Sequence, residues 1–381
     1  MVRLMRRDRA SRSAMVAAPL LALGAAVLVS LILFAALGKP AGVALHALLI
    51  RPFASWYSFS EVLLKAAPLM LIAQGLAIGF RANVFNIGAE GQFVMGAVAA
   101  SALPVLGGDP SGPWVMPLML GAGMAGGLAW AGLAAFARDR FGASEILVTL
   151  MQSLIAVQVL NYLLLGPWKD PRGFNFPVSV MFPDAALLPI LLPGTRTNVL
   201  LVFALLASVL AWVLMRHRLT GFQLLVGGLA PGAARYAGIA PRRAVWLSLG
   251  LGGLAAGLAG AGEVMGPLGQ LQRSVAAGYG YAAIVVAYVG GLNPLGIVVA
   301  AVAISAVYIG GDAATVSAGL PVPAVEVFQG LLLAFYLVAF VLVRYRIARM
   351  PGPATRAATP RRGGRPRTFD GPVPSAADGG P

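Results

Sequence analysis

The sequence predicts an all-α fold, a polytopic transmembrane helix bundle of about ten spans with both termini in the cytoplasm. Three observations predict it. Hydrophobic residues make up 59% of the 381 and charged residues only 11%, at a mean hydropathy of +0.83, where soluble domains carry roughly 25% charged residues. The apolar residues fall into repeated runs long enough to cross a bilayer. The cations between those runs alternate in abundance from one connection to the next, the pattern expected when Lys and Arg are retained on the cytoplasmic side.

In chain order, residues 1–13 form a basic cytoplasmic N-terminus with Arg3, Arg6, Arg7, Arg9 and Arg12. The run Ala14 to Leu37 exceeds the roughly 7–15 residues of a signal-peptide core and reads as the first span. Lys39 to Phe59 is a mixed loop in which Trp56 and Tyr57 suit an interface. Further spans are predicted at 60–80, 89–106, 114–137, 145–165, 198–215, 245–267, 279–290, 295–309 and 322–343. Lys65, near the outer end of the second, can snorkel to the interface. Residues 166–197 are polar, proline-rich and too broken to span. The eighth and ninth spans are short and joined by Gly290-Gly291-Leu292-Asn293-Pro294, a turn signal. The membrane domain is thus residues 14–345, and 346–381 read as a disordered Arg/Pro-rich cytoplasmic tail that can touch lipid headgroups. With this topology 21 of the 28 Lys and Arg residues lie inside. The net charge of +15 therefore follows membrane sidedness, and no nucleic-acid partner is expected.

Composition and motifs exclude several chemistries. There is no cysteine, and His46 and His217 are the only histidines, so no metal site is expected. No phosphate-binding G-x-x-x-x-G-K-[ST] loop, nucleophile elbow or HExxH occurs. Glu61, Lys65, Glu90, Glu145, Glu263 and Glu326 form no catalytic constellation. The chain is expected to move a solute, not to act as an enzyme, and to need no cofactor.

Polar residues within spans are costly and mark candidate sites. Asn83, Asn86, Glu90 and Gln92 lie in the glycine-punctuated stretch Arg81 to Gln92. They either line or gate a route through a broken helix or form a turn in which Asn86 caps the third span. Glu263 either contacts substrate or is satisfied by a partner near the outer helix end. Gln152 and Ser153 suit either the route or helix–helix hydrogen bonding. Gly253 and Gly257, and Gly262 and Gly266, have the four-residue spacing that lets helices approach closely. In the connection 219–243, Pro231, Gly232, Ala233, Ala234, Arg235 and Tyr236 read as a short helix stopped by Gly238. It suits a groove on a soluble partner or the membrane interface.

FRANVFNIGAEGQ at 80–92 resembles the signature of membrane permeases of bacterial ABC importers for nucleosides and simple sugars. SEILVTLM at 144–151, LLLGPWKDP at 163–171, AARYAGI at 233–239 and GYGYAAIVVAYVGGLNPLG at 278–296 continue the resemblance in order. The larger permease of nucleoside importers is the most similar type, and permeases for branched-chain amino acids are related. The resemblance implies an inner-membrane subunit paired with a second permease. It also implies two ATPase subunits below and an extracytoplasmic substrate-binding lipoprotein above. The segment Pro231 to Gly238 would be the coupling helix that receives the ATPase stroke. Two departures stand out. Leu225 and Ala230 replace an arginine and an asparagine ahead of the coupling helix, and Met151-Gln152-Ser153-Leu154 replaces M-L-N-Y. The rival class is a secondary transporter coupled to an ion through Glu90 and Glu263. A third reading is a scaffold that recruits a partner through its tail.

Overall fold

The computed structural model describes residues 2–6, 12–108 and 110–349. The chain divides into two units. One comprises residues 1–22 and 336–381, and the other residues 23–335. In the first, β1 (Val2–Arg6) pairs antiparallel with β2 (Tyr345–Arg349), Val2 opposite Arg349 and Arg6 opposite Tyr345. Residues 346–349 of the expected tail are therefore strand, and the rest of that tail lies outside the described residues.

The second unit is helical. It runs from within α1 (Arg12–Ala36) through α2 (Ala41–Leu49), α3 (Trp56–Arg81), α4 (Ala89–Leu106), α5 (Val115–Phe141) and α6 (Glu145–Leu165). Then come α7 (Leu200–His217), α8 (Leu219–Leu229), α9 (Pro231–Tyr236), α10 (Pro241–Glu263), α11 (Tyr279–Val289), α12 (Pro294–Ala318) and α13 (Val322–Arg344), which ends in the first unit. Among the described residues, seven helices are long and apolar enough to cross a membrane: α3, α4, α5, α6, α7, α10 with its π-helical extension to Leu268, and α12.

Three elements depart from expectation. α2 lies in the stretch read as a mixed loop, and α8 precedes α9 in the stretch read as a connection. α12 is a full 25 residues instead of a short span ending at 309. Gly310-Gly311-Asp312 looks like a helix end, but Gly310 packs against the Leu48 backbone and Asp312 pairs with Lys65 at 2.9 Å, so the helix continues. α11 is only 11 residues long, about 16 Å at 1.5 Å per residue, about half the hydrocarbon thickness.

α3 is the central element, with 89% of its apolar window buried. Its entry is fixed by Ser55, whose side chain accepts from the Ser58 amide at 3.0 Å. Small residues bring α4, α5 and α10 into backbone contact. A Cβ at Gly75 would lie 2.9 Å from the Gly252 Cα, one at Gly96 2.5 Å from the Gly257 oxygen, and one at Gly127 2.7 Å from the Gly257 Cα. Lipid offers no hydrophobic drive for helices to associate, so this close packing is a main source of cohesion.

The two ends differ in chemistry. At one end the α5 terminus meets α10 through Asp139 and Arg242, with a second Arg242 bond of 2.7 Å and Trp246 donating to Asp139 at 3.1 Å. There, too, Arg138 pairs with Glu145 of α6. Toward the other end Arg196 pairs with Glu61, its Nε at 3.0 Å, and this carboxylate holds the guanidinium above its ordinary pKa. The long segment 166–199 is docked on the stretch after α10. Ser179 N donates to Leu271 O at 2.9 Å, Phe182 N to Gly269 O at 2.8 Å and Leu188 N to Met265 O at 2.8 Å.

Candidate functional site

The turn between α3 and α4 is held from three sides. α3 ends because Asn83 takes a left-handed conformation, φ 56°, which asparagine tolerates better than most residues. The chain then climbs along α6. Glu145, Thr149 and Ser153 are four residues apart and so share one face of that helix. Phe85 N donates to Glu145 Oε1 at 3.4 Å, Ile87 N to Thr149 Oγ1 at 3.2 Å and Gly91 N to Ser153 Oγ at 3.2 Å. Two backbone amides of the irregular turn and one in the first turn of α4 are thus satisfied by one side-chain stripe, a requirement inside a membrane. Gly88 and Gly91 allow the approach, since a Cβ would lie 2.6 Å from Thr149 Cβ and 2.7 Å from Ser153 Cα respectively.

Asn86 and Gln92 bond to each other. Asn86 Nδ2 donates to Gln92 Oε1 at 2.9 Å, and Asn86 Oδ1 accepts from Gly88 N at 3.0 Å and from Gln92 Nε2 at 3.3 Å. The pair closes the turn that starts α4, and Gln92 is wholly buried. Glu90 faces another way. Its Oε1 accepts from Gly278 N at 2.8 Å and its Oε2 from Gly280 N at 2.6 Å. These amides open α11, so the carboxylate caps that half-helix and complements its dipole. Gly280 lies directly on this contact, where a Cβ would fall 2.5 Å from Glu90 Cα. Tyr279, between the two amides, lies with its ring 5.5 Å from that of Phe93 and tilted 39° to it, and its hydroxyl donates to Glu263 Oε1 at 3.5 Å.

Asn86, Glu90, Gln92 and Ser153 therefore brace one short stretch of chain through separate hydrogen bonds, and Glu263 reaches it through Tyr279. Asn83 is elsewhere. It is exposed and borders a cavity of about 170 Å³ with Ala82, Arg138, Pro231, Ala234 and Arg235. Gln152 has an enclosed Oε1 without a hydrogen bond among the described residues.

α8 rests on the same turn and carries α9 beside it. A Cβ at Gly228 would lie 2.9 Å from the Ala82 carbonyl carbon. α9 begins at Pro231 and ends before Gly238, φ 75°. Only Ala234 of α9 is buried, while Arg235 is exposed and Tyr236 is 98% exposed. Ala230, one of the two departures, is the residue preceding α9, and Leu225 is exposed on α8.

Sequence reasoning missed Thr149, Gly278 and Gly280 as partners of this stretch, and Gln74. Buried in α3, Gln74 donates to Ser208 Oγ and to Pro294 O, each at 2.9 Å. The four-residue spacing of Glu145, Thr149 and Ser153 is the signal that was available. Because Thr149 Oγ1 also donates to Glu145 O at 2.6 Å, Thr149→Val leaves the Ile87 amide without a partner at nearly constant volume. It is expected to destabilise the protein by about 1–3 kcal/mol, read as a lower thermal-aggregation midpoint in detergent.

Comparison with known proteins gives the family. The chain is 32% identical over 339 residues to a glucose ABC transporter permease protein of Haloferax volcanii, covering 86% of this chain and 89% of that one. It is 26% identical to one nucleoside ABC transporter permease protein of Lactococcus lactis, over 85% of this chain and 91% of that one. A second nucleoside permease protein of the same organism matches at 25% over 62% of this chain and 76% of its own length. No solved structure matches the chain. The family model for the permease component of the branched-chain amino acid transport system matches residues 58–337, and the chain belongs to that family.

Proposed function

We propose that this chain is a membrane permease subunit of an ABC importer and moves a nucleoside or simple sugar by alternating access. The observation that carries the reading is α9, a short helix with its outward face bare and its one buried residue bordering the same cavity as residues 82–84 of the turn that organises the site. ATP binding and hydrolysis reside on two separate ATPase subunits, which push on α9. A second, non-identical permease completes the translocator, and an extracytoplasmic lipoprotein delivers substrate. Two distinct permeases of one organism among the relatives support the unlike pairing. The glucose and nucleoside names of the relatives support the substrate class.

The chain lies in a bacterial inner membrane with both termini in the cytoplasm. α1, α11 and α13 add three crossings to the seven, and the even total of ten returns the C-terminus to the side of the N-terminus. The Arg-rich end, with α8, α9 and the Asp139–Arg242 pair, then faces the ATPases. In this arrangement the stroke passes from α9 to the 82–88 turn and, through Glu90, to α11. A two-state equilibrium biased by ATP on the partner subunits suffices.

The ion-coupled rival required Glu90 as a ligand, but both of its oxygens are engaged by backbone amides. The coupling role is tested by Arg235→Glu in the assembled transporter. Uptake is expected to fall at least about tenfold, some 1.4 kcal/mol, with insertion unchanged and ATPase activity no longer stimulated by substrate. A mild-detergent pull-down of the wild type should recover an ATPase and a second permease. Normal ATP-driven uptake by the variant would exclude the coupling role, and recovery of the chain alone with intact transport would exclude the importer.

A further inference from the structure

Two of the seven spans are buried least, α6 at 28% and α7 at 22% of their apolar windows. Their bare faces differ in kind. α7 presents Val202, Leu205, Leu206, Val209 and Leu210. Its only hydroxyl, Ser208, turns inward and donates to Ala204 O at 2.8 Å. That face is fit for lipid. The bare face of α6 carries Leu147, Met151, Ile155, Gln158 and Tyr162, which recur at three- or four-residue intervals and so form one stripe. Asn161 flanks it. Tyr162 is 70% exposed. Asn161 Nδ2 approaches Gln158 Oε1 at 3.5 Å, the limit of a hydrogen bond. That single weak contact leaves the Gln158 amide protons and the Asn161 carbonyl without a hydrogen-bond partner among the described residues. Carboxamides held against hydrocarbon with open donors and acceptors are costly, and no lipid tail can satisfy them. Interhelical side-chain bonds do so in membranes. The opposite face of α6 is already committed to the α3–α4 turn through Glu145, Thr149 and Ser153.

We infer that the Gln158–Asn161–Tyr162 face of α6 is the seam against the second permease subunit, with α7 facing lipid. The partner supplies amide or hydroxyl groups opposite Gln158 and Asn161. This rests on the reading of the chain as one of two unlike permeases. It adds a consequence: the helix at the seam is also the helix that holds the 85–91 turn. Movement at the seam and movement of the turn are therefore one motion of α6.

The test is photo-crosslinking in the full transporter, with p-benzoylphenylalanine placed at position 158 or, for comparison, at position 206. The label at 158 should give an adduct with the second permease, and that at 206 none. A paired variant, Gln158→Leu with Asn161→Leu, keeps size and helix propensity and would suit lipid. It should cut recovery of the second permease at least tenfold in pull-down while leaving this chain inserted and monodisperse. Three outcomes would overturn the seam: an adduct from 206 but not 158, an adduct of 158 with a second copy of this chain, or full recovery of the partner by the double-leucine variant. A wild-type complex that contains no second permease would overturn the underlying reading as well. A complex that retains both permeases yet gives no adduct at 158 would overturn the seam alone.

Discussion

Gly257→Leu should yield no monodisperse protein in detergent, whereas Gly250→Leu, two turns earlier on the same helix, should yield nearly wild-type amounts. The contrast follows from what each side chain would meet. At Gly257 a Cβ alone would lie 3.0 Å from the Cα and from the nitrogen of Gly127 and would press on the carbonyl oxygen of Gly123. On the α4 side Gly96 packs against the same residue. All of these are backbone atoms of helices, and they cannot rotate away. A leucine there must separate α10 from α4 and α5 together, well beyond the roughly 1–3 kcal/mol of ordinary overpacking. At Gly250 the nearest atom is the Leu128 Cδ1 at 3.3 Å, the end of a flexible chain that can swing aside. Size-exclusion profiles and thermal-aggregation midpoints of the two variants check the pair. A monodisperse Gly257→Leu protein with a wild-type midpoint would show that α10 does not depend on close glycine packing.

The helices were legible because spans announce themselves twice, by apolar runs and by the charges that bound them. Arg138, Arg140, Arg216 and Arg218 sit where α5 and α7 end. α2, α8 and the reach of α12 were not legible. Short helices among mixed residues have no such double signal. Gly310, which seemed to end α12, is explained by Leu48, more than 260 positions away. The same limit governs the site. The sequence picked out Asn83, Asn86, Glu90 and Gln92 as one polar patch, because in the sequence they are neighbours. In space Asn83 belongs with Arg235, Asn86 with Gln92, and Glu90 with amides 188 and 190 positions on. Period and composition say that a polar residue inside a membrane must have a partner, but not which one.

Glu90→Gln is expected to reduce uptake as severely as Glu90→Ala, at least about tenfold, while insertion and pairing with the ATPases persist. Two amides, Gly278 and Gly280, converge on two carboxylate oxygens. A glutamine offers one acceptor, and its amide group sets N–H against N–H, leaving one buried donor opposed and unpaired at a cost of about 1–3 kcal/mol. Alanine leaves both unpaired. Aspartate is shorter by one methylene and its chain cannot hold both bonds without drawing α4 toward α11, so it should restore only part of the activity. If Glu90 were merely a polar residue lining a route, glutamine, with the same size and polarity, would be the mildest of the three. The rank order in reconstituted uptake therefore separates the roles: alanine and glutamine both severe with aspartate between them and wild type for the tie to α11, glutamine mildest for the lining. The ATPase readout adds the sign of the coupling. With the tie cut, α9 still receives the stroke but α11 no longer follows it, so ATP hydrolysis should continue while transport stops. Loss of both together, with subunits still assembled, would place Glu90 upstream of the ATPase contact and would reject the path from α9 through the 82–88 turn to α11.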